Sequence, residues 1–304
     1  MSFYNKKKVC VTHNGTFHAD DLFATAVLSL LNNGNIKIVR TRDKRIIEEG
    51  DYVYDVGGEY DPEKDLFDHH QRDGAGTRTN GIPYSSFGLV WDKYGEDICG
   101  NHEIAERIDQ KIVSPIDAVD NGFDISKPVI RGVIPYYADQ VFLNNIPTWE
   151  EDNKDIDKIF EEQVSKVCTL LKREIEVAKA DIEAKNIIME VYENTLDKRI
   201  IIIENDFPRY LFQRILSVLP EPMYLVYPSS HSTIWKAEAI SISPDTMDSR
   251  KQFPGSWRGF MEGDERLKSI TGVSDAIFCH RGGFLILSLS KEGAIELAQK
   301  ALLA

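Results

Sequence analysis

The chain contains no long hydrophobic run. None of its 304 residues belong to an uninterrupted apolar stretch of about 18 residues, so no transmembrane helix is expected. The basic start is not followed by the apolar core of roughly 7–15 residues that marks a secretory signal. We therefore expect a cytoplasmic protein without a membrane partner.

Cysteine is scarce and scattered. The four cysteines form no C-x-x-C pair, and they are Cys10, Cys99, Cys168 and Cys279. This spacing excludes a zinc ribbon, and the number is too small for a disulfide framework. We expect buried free thiols.

Basic residues are outnumbered by acidic ones. The 36 lysines and arginines face 49 aspartates and glutamates, which gives a formal net charge of −13. A globally acidic protein repels nucleic acid at long range, so the chain is not a nonspecific nucleic-acid binder. A phosphate ester can still be held locally by metal ions and a few arginines.

What the chain does contain is a concentration of histidine and aspartate in its first 122 residues. The candidates are His13, His18, Asp20, Asp21, Asp55, Asp68, His69, His70, Asp117 and Asp120. Carboxylates gathered in one place repel one another and become protonated unless a cation neutralises them. Imidazole mixed with carboxylate suits manganese, cobalt, iron or zinc better than calcium. The sequence therefore predicts a two-metal hydrolase with two divalent ions, Mn²⁺ first, with Mg²⁺, Co²⁺, Fe²⁺ or Zn²⁺ as alternatives.

Strands and helices alternate through the first half. Apolar, β-branched runs at Lys8–Thr12, Ile36–Arg40 and 52–56 alternate with segments of helical spacing. This rhythm predicts an α/β fold whose N-terminal sheet is mainly parallel, with helices on both faces. Ligands bind beyond the carboxyl ends of such strands, where His13 and Asp55 stand.

The whole chain divides into three parts on this interpretation. Residues 1–147 form the metal-binding catalytic domain, and the highly charged segment 148–195 forms a helical connector. Residues 196–304 form a smaller α+β lobe that binds substrate. Within it, Arg281-Gly282-Gly283 separates two predicted strands and predicts a hairpin turn.

The order of these motifs resembles the DHH phosphoesterase superfamily, which carries H-x-x-x-D-x-D, a lone Asp after a strand, D-H-H and a fourth Asp. Within it, the chain closely resembles the MYG (melanocyte proliferating gene 1) family of DHH-like metal-dependent hydrolases. The matching segments are 12–18 (THNGTFH), 39–43 (VRTRD), 55–61 (DVGGEYD), 68–72 (DHHQR), 117–122 (DAVDNG), 254–259 (PGSWRG) and 278–280 (FCH). The resemblance implies a DHH-type catalytic lobe and phosphodiester hydrolysis, with 3′–5′ exoribonuclease activity.

The resemblance also implies a set of metal ligands. The set is His13, His18, Asp20, a bridging Asp55, His69 and one of Asp117 and Asp120. Here His18 stands where the superfamily has its first aspartate, which keeps a ligand but removes a negative charge. Asp21 is interpreted as a helix-start residue. Between the last two aspartates we favour Asp117, because we expect it nearer to the end of its helix.

Catalytic roles follow from the same resemblance. In the superfamily the second histidine of the triplet, here His70, faces the substrate phosphate, and Asp68 would orient a histidine by hydrogen bonding. Asp55 would serve both metal ions. Two such ions activate a water that attacks phosphorus in line.

Each candidate for substrate contact has an alternative structural interpretation. Arg40, Arg42, Arg72 and Arg258 could clamp phosphate, and each is equally typical of an ion pair. Four residues of the predicted hairpin could bind phosphate or could serve only to form the turn, and they are His280, Arg281, Gly282 and Gly283. Trp257 could stack on a base or could lie in the core.

Two rival functions remain. The same residues could hydrolyse pyrophosphate, short polyphosphate or a small nucleotide, or they could stabilise a scaffold without turnover. The partner predicted is RNA or a nucleotide phosphodiester, and a homo-oligomer is left open.

Overall fold

The computed structural model describes residues 6–151, 154–229 and 232–304. Contacts divide the chain into two compact units, Met1–Lys179 and Ala180–Ala304. Each contains a five-stranded sheet with helices, so the predicted two-lobe α/β fold is confirmed. No helix in the described ranges is long and apolar enough to cross a membrane. All four cysteines are free, as predicted; Cys10, Cys99 and Cys279 are also buried, whereas Cys168 is half-buried.

The first sheet is mainly parallel. Its strands are β1 (Lys8–Thr12), β2 (Ile36–Arg40), β3 (Tyr52–Tyr54), β4 (Tyr60–Asp61) and β5 (Leu66–Phe67). They lie in the order β2-β1-β3-β5-β4. β1, β2, β3 and β5 pair in parallel, and β4 adds an antiparallel edge.

The helices of this unit begin with α1 (Ala19–Leu31), α2 (Lys44–Ile47), α3 (Ser86–Cys99) and α4 (His102–Ile108). Sequence spacing predicts one helix from about His102 to Val113. In the structure α4 is followed by a π turn, Asp109–Val113, and then by α5 (Ser114–Asp120). Pro115 explains the break, because its ring clashes with a regular helix turn before it. α6 (Gln140–Leu143) and the 39-residue α7 (Ile156–Asn194) follow, and the division between the two units falls within α7.

Alternation along the strands assigns helices to both sheet faces. Val11 and Val53 pack with Ile47 of α2 on one face. On the other face the hydroxyl groups of Tyr54 and of Thr25 in α1 form a 2.6 Å hydrogen bond. The period-2 side-chain pattern thus separates the two layers, as the apolar runs predict.

The second sheet is mixed. Its strands are β6 (Ile200–Ile202), β7 (Tyr224–Pro228), β8 (Trp235–Ala239), β9 (Ala276–Cys279) and β10 (Leu285–Ser288), in the order β6-β7-β8-β10-β9. Only β6 and β7 are parallel; β9 and β10 form the predicted hairpin. Its helices are α8 (Arg209–Leu216), α9 (Arg266–Thr271) and α10 (Lys291–Leu303). One face buries Val226 with Leu297 of α10, and the other buries Leu225 with Phe212 of α8.

Candidate metal centre

Three motifs meet at one edge of the first sheet. His13 follows β1, Asp55 follows β3, and the Asp68-His69-His70 triplet follows β5. β1, β3 and β5 are parallel neighbours, so their carboxyl ends lie at the same edge. The topology alone therefore brings together residues that are far apart in the sequence.

Asp55 lies at the middle of this group. Its Oδ2 is 3.1 Å from His13 Nε2, and its Oδ1 is 3.4 Å from His69 Nε2. Its backbone is left-handed (φ 53°), a conformation that is uncommon for residues other than glycine. Burial would raise the pKa of the carboxyl, but the imidazoles of His13 and His69 outweigh it and lower the pKa to about 2.

The start of α1 supplies further carboxylates. Asp20 and Asp21 are fully buried in its first turn, where the helix dipole favours negative charge. Asp21 stabilises the start of the helix, since its Oδ1 accepts a 3.0 Å bond from the His18 N–H, and its Oδ2 lies 3.4 Å from His13 Nε2. Burial raises the pKa of Asp21 to about 7 and that of Asp20 well above its usual range.

Asp120 joins the group from α5. It is the last residue of that helix, where the sequence argument expects Asp117 to lie nearer the end. Asp120 Oδ2 is 3.5 Å from His69 Nε2. Burial raises the pKa of Asp120, with the neighbouring charge of Asp55 adding to the rise and the imidazole of His69 opposing it.

Asp117 is held by protein groups instead. Arg78 Nε lies 2.6 Å from its Oδ2, and the Ser85 hydroxyl (2.5 Å), the Ser85 N–H and the Gly88 N–H donate to its Oδ1. A Cβ at Gly88 would clash with the carboxylate, so glycine permits the close approach. Arg78 also binds Asp109 through both terminal nitrogens. Sequence reasoning missed Arg78, which stands in a loop with no periodicity or motif to mark it.

The donor set fits divalent cations. Three overlapping groups have ligand atoms within 4.8 Å of one another: His13, His18 and Asp55; Asp55, His69 and His70; and His18, Asp20 and Asp120. Both carboxylate oxygens of Asp20 and both of Asp55 are buried. None of these four oxygens makes a hydrogen bond of normal geometry with the described residues, although imidazoles lie nearby. Buried, unpaired carboxylates are costly, and a cation shared with imidazole nitrogens removes that cost. We call these residues and Asp21 the cluster.

Asp68 fixes the orientation of His70. Its Oδ1 is 2.7 Å from His70 Nδ1 and accepts from the His70 N–H, while its Oδ2 accepts a 2.5 Å bond from Gly58 N–H. Asp68 is buried, whereas the His70 side chain is 62% exposed. With Nδ1 held by Asp68, the other ring nitrogen of His70 is the one available to a bound substrate.

The three arginines of the first unit that were predicted to clamp phosphate, Arg40, Arg42 and Arg72, differ in their surroundings. Arg40 is buried under the ring of Phe160 (4.6 Å) and donates to the Asp157 carboxylate (2.6 Å) and the Gly15 carbonyl (2.7 Å). It therefore ties the loop after His13 to α7, and both terminal nitrogens of its guanidinium are occupied. Arg42 and Arg72 are exposed, and neither makes a hydrogen bond or ion pair within the described part of the chain.

Trp257 lies in the core of the second unit. Its side chain is 6% exposed and its ring stacks 6.4 Å from that of Phe253. That burial leaves no open face for a base, which corrects the stacking interpretation in favour of the core position. Arg258 donates from Nε to the Phe253 carbonyl and covers Gly283.

The hairpin turn presents different groups. His280 Nδ1 accepts a 3.0 Å bond from the Gly282 N–H, and its ring packs on Phe284. Gly283 has a φ of 67°, as a tight turn requires. Arg281 at the tip is exposed. The turn thus has a structural role, and the Nε2 atom of His280 and the Arg281 side chain are the groups it leaves for a ligand.

Comparison with known proteins covers almost the whole chain. The model of the family described as "Uncharacterised protein family (UPF0160)", MYG1_exonuc, matches residues 9–302. The MYG1 protein of Schizosaccharomyces pombe is 31% identical, with 96% of each chain covered. The protein named MYG1 exonuclease of Homo sapiens is 28% identical over 96% of this chain and 85% of its own length. The MYG1 protein of Dictyostelium discoideum is 31% identical over 96% of this chain and 95% of its own length.

Proposed function

The chain belongs to the MYG1 family, and from that premise we propose that it is a metal-dependent nuclease that hydrolyses phosphodiester bonds, with 3′–5′ exoribonuclease action. One observation carries the proposal: buried carboxylate oxygens of Asp20 and Asp55 face imidazole nitrogens without hydrogen bonds. Relatives of cattle, mouse and human that carry the name exonuclease support the reaction class.

The residues that would hold the ions are already brought together by the fold. They are His13, His18, Asp20, Asp55, His69 and Asp120. When bound, two divalent ions supply Lewis acidity, which activates water and neutralises phosphoryl charge. The same order of ligands along the chain supports placement in the DHH phosphoesterase superfamily. Mn²⁺ is the ion proposed, because the donors mix imidazole with carboxylate.

The chain's own residues then orient the substrate. Asp68 holds His70 so that its free ring nitrogen can donate to a phosphoryl oxygen as charge develops there. Arg42 and Arg72, both exposed, are the cations offered to the phosphate. In the second unit, His280 and Arg281 are the groups offered to RNA. These contacts must be local, because a net charge of −13 repels RNA at long range.

The test is hydrolysis by the full-length protein with Mn²⁺, using RNA labelled at the 5′ or the 3′ end, matched DNA, and pyrophosphate. We expect 5′-labelled RNA to shorten stepwise from its 3′ end with release of mononucleotides. His70→Ala should lose most of this activity, by about 10²–10³-fold, which is typical for removal of one preorganised donor. Mn²⁺ stoichiometry, measured by calorimetry, should not change in this variant.

His102→Ala is the matched control. His102 is a surface histidine, 79% exposed and paired with Glu96, so its removal should leave activity unchanged. Release of orthophosphate from pyrophosphate without cleavage of RNA would replace the nuclease proposal by a pyrophosphatase. Mn²⁺ binding without hydrolysis of any substrate would leave a metal-stabilised scaffold.

A further inference from the structure

A large cavity borders the cluster within the first unit. Its volume is about 640 Å³, inside the range of roughly 300–1,000 Å³ that is usual for ligand pockets. Its wall includes His18 and Asp120, so the cavity begins at two of the proposed metal ligands. Two further cavities, one beside Arg42 and one beside Lys172, include no residue of the cluster.

The wall of the cavity is mainly apolar. Ile116 and Val119 of α5, Leu170 of α7, and Ile125 and Tyr137 from the segment between α5 and α6 contribute to it. Val119 and Ile125 are 40% and 42% exposed, so apolar surface remains uncovered there. Such a wall favours a ligand with apolar faces over one that is charged throughout.

The polar groups of the cavity are few and mainly acidic. Lys111 is neutralised by Glu174, with 2.5 Å between Nζ and Oε2. Asp139 is half-buried, and its carboxylate makes no hydrogen bond or ion pair with the residues that the structure describes. It can accept a hydrogen bond from an amino or hydroxyl group, and its charge disfavours a second phosphate in the cavity.

We infer that this cavity binds the nucleoside of the terminal nucleotide, next to the phosphate that is cleaved. The inference rests on the proposed function and deepens it. A group esterified to the reacting phosphorus must extend through space that borders the ligands, and the cavity is such a space. A nucleobase has the apolar faces that its wall requires and hydrogen-bonding edges that Asp139 can meet. The carboxylate of Asp139 suits a chain end rather than a continuing phosphate backbone.

Base-deleted substrates test this assignment without any mutation. The full-length protein with Mn²⁺ is assayed on adenylyl-adenosine and on two analogues in which the 5′-side or the 3′-side base is replaced by hydrogen. Deletion of the 3′-side base, which belongs to the terminal nucleotide, should raise KM by about tenfold. This is the size expected for loss of one base contact of roughly 1.4 kcal/mol. Deletion of the other base should change KM by less than about twofold.

Leu170→Trp then links the effect to the cavity. Leu170 lies on α7 and is not a residue of the cluster, so a larger side chain there reduces the cavity volume without removing a proposed metal ligand. We expect KM for adenylyl-adenosine to rise about tenfold with kcat little changed, and no further loss on the sensitive base-deleted analogue. Leu196→Trp, the same change at a fully exposed position of the second unit, is the matched control and should have no effect.

The outcomes separate this inference from the proposed function. Equal losses in Leu170→Trp on intact and base-deleted substrates would overturn the inference, and so would a wild-type protein indifferent to both deletions. Absence of phosphodiester cleavage would refute the proposed function. Binding in the cavity can be measured without cleavage by calorimetry. Adenosine monophosphate should then bind about tenfold more tightly than ribose 5-phosphate. Equal affinities would overturn the assignment even if Leu170→Trp failed to fold.

Discussion

Asp117 and Asp120 lie one helical turn apart on α5, and removing each carboxylate should have opposite consequences. Asp117→Ala removes one of the two carboxylates that bind Arg78 and leaves the Ser85 hydroxyl and two N–H groups near α3 without an acceptor. Asp120→Ala removes one carboxylate from a cluster that also contains those of Asp20 and Asp55. The same chemical change therefore tests a structural and a metal-binding role side by side.

The magnitude follows from the contacts. Breaking a buried ion pair by removal of one partner costs about 3–5 kcal/mol. Domains of 150–250 residues lose about 2–4 °C of Tm per kcal/mol, so Asp117→Ala should lower the metal-free Tm by about 10 °C. Asp120→Ala should leave the metal-free Tm equal or raise it, because like-charge repulsion is relieved.

The assay is thermal unfolding in EDTA and again in saturating Mn²⁺. Wild-type protein and Asp117→Ala should both gain stability from the ion, by about 2.7 kcal/mol at a hundredfold excess over Kd. Asp120→Ala should gain much less. Preserved metal-free stability in Asp117→Ala together with loss of its Mn²⁺ response would refute the reasoning and make Asp117 the ligand.

Other changes give equally distinct expectations. Asp55→Ala should abolish hydrolysis at saturating Mn²⁺, and near-normal turnover would exclude a bridging role. Burial raises the pKa of Asp21 to about 7 and that of Asp20 well above its usual range, so the folded metal-free protein favours their protonated forms. The contribution of Asp21 to stability is full below about pH 4 and is lost as pH rises through about 7, so Tm in EDTA should fall between pH 5 and 7 more steeply than in Asp21→Asn. Arg40→Gln should destabilise the protein by about 1–3 kcal/mol, since the Gly15 carbonyl and Phe160 lose their partner, and an unchanged urea midpoint would contradict this clamp.

The strands and the place of the site could be predicted because both follow from local pattern. Val9, Val11 and Val39 are β-branched residues with the alternation of a two-layered sheet, and β1 and β2 have the predicted bounds. In a parallel sheet the carboxyl ends share one edge, so His13 and Asp55 could be placed together before any coordinates. Periodicity and topology were sufficient there.

Positions decided by distant partners could not be predicted. Whether Asp117 or Asp120 faces the cluster depends on Arg78, which is 39 residues from Asp117 in an irregular loop. Trp257 beside Arg258 is as typical of a core residue with a surface cation as of a base-stacking pair, and only the packing of Phe253 separates them. Sequence spacing carries no information on contacts of this kind.

Asp21 shows why a single role per residue was too simple an interpretation. Sequence pattern makes it a helix-start residue, and its Oδ1 does accept from the His18 N–H in that role. The same helix end is directed at the cluster, however, so its Oδ2 lies beside His13. The positive end of the α1 dipole lowers the cost of carboxylates at that position, and it also favours the negative charge that metal ligands require. Stabilising the start of α1 and assembling the cluster are therefore one electrostatic arrangement, in which a change to Asp21 must affect both.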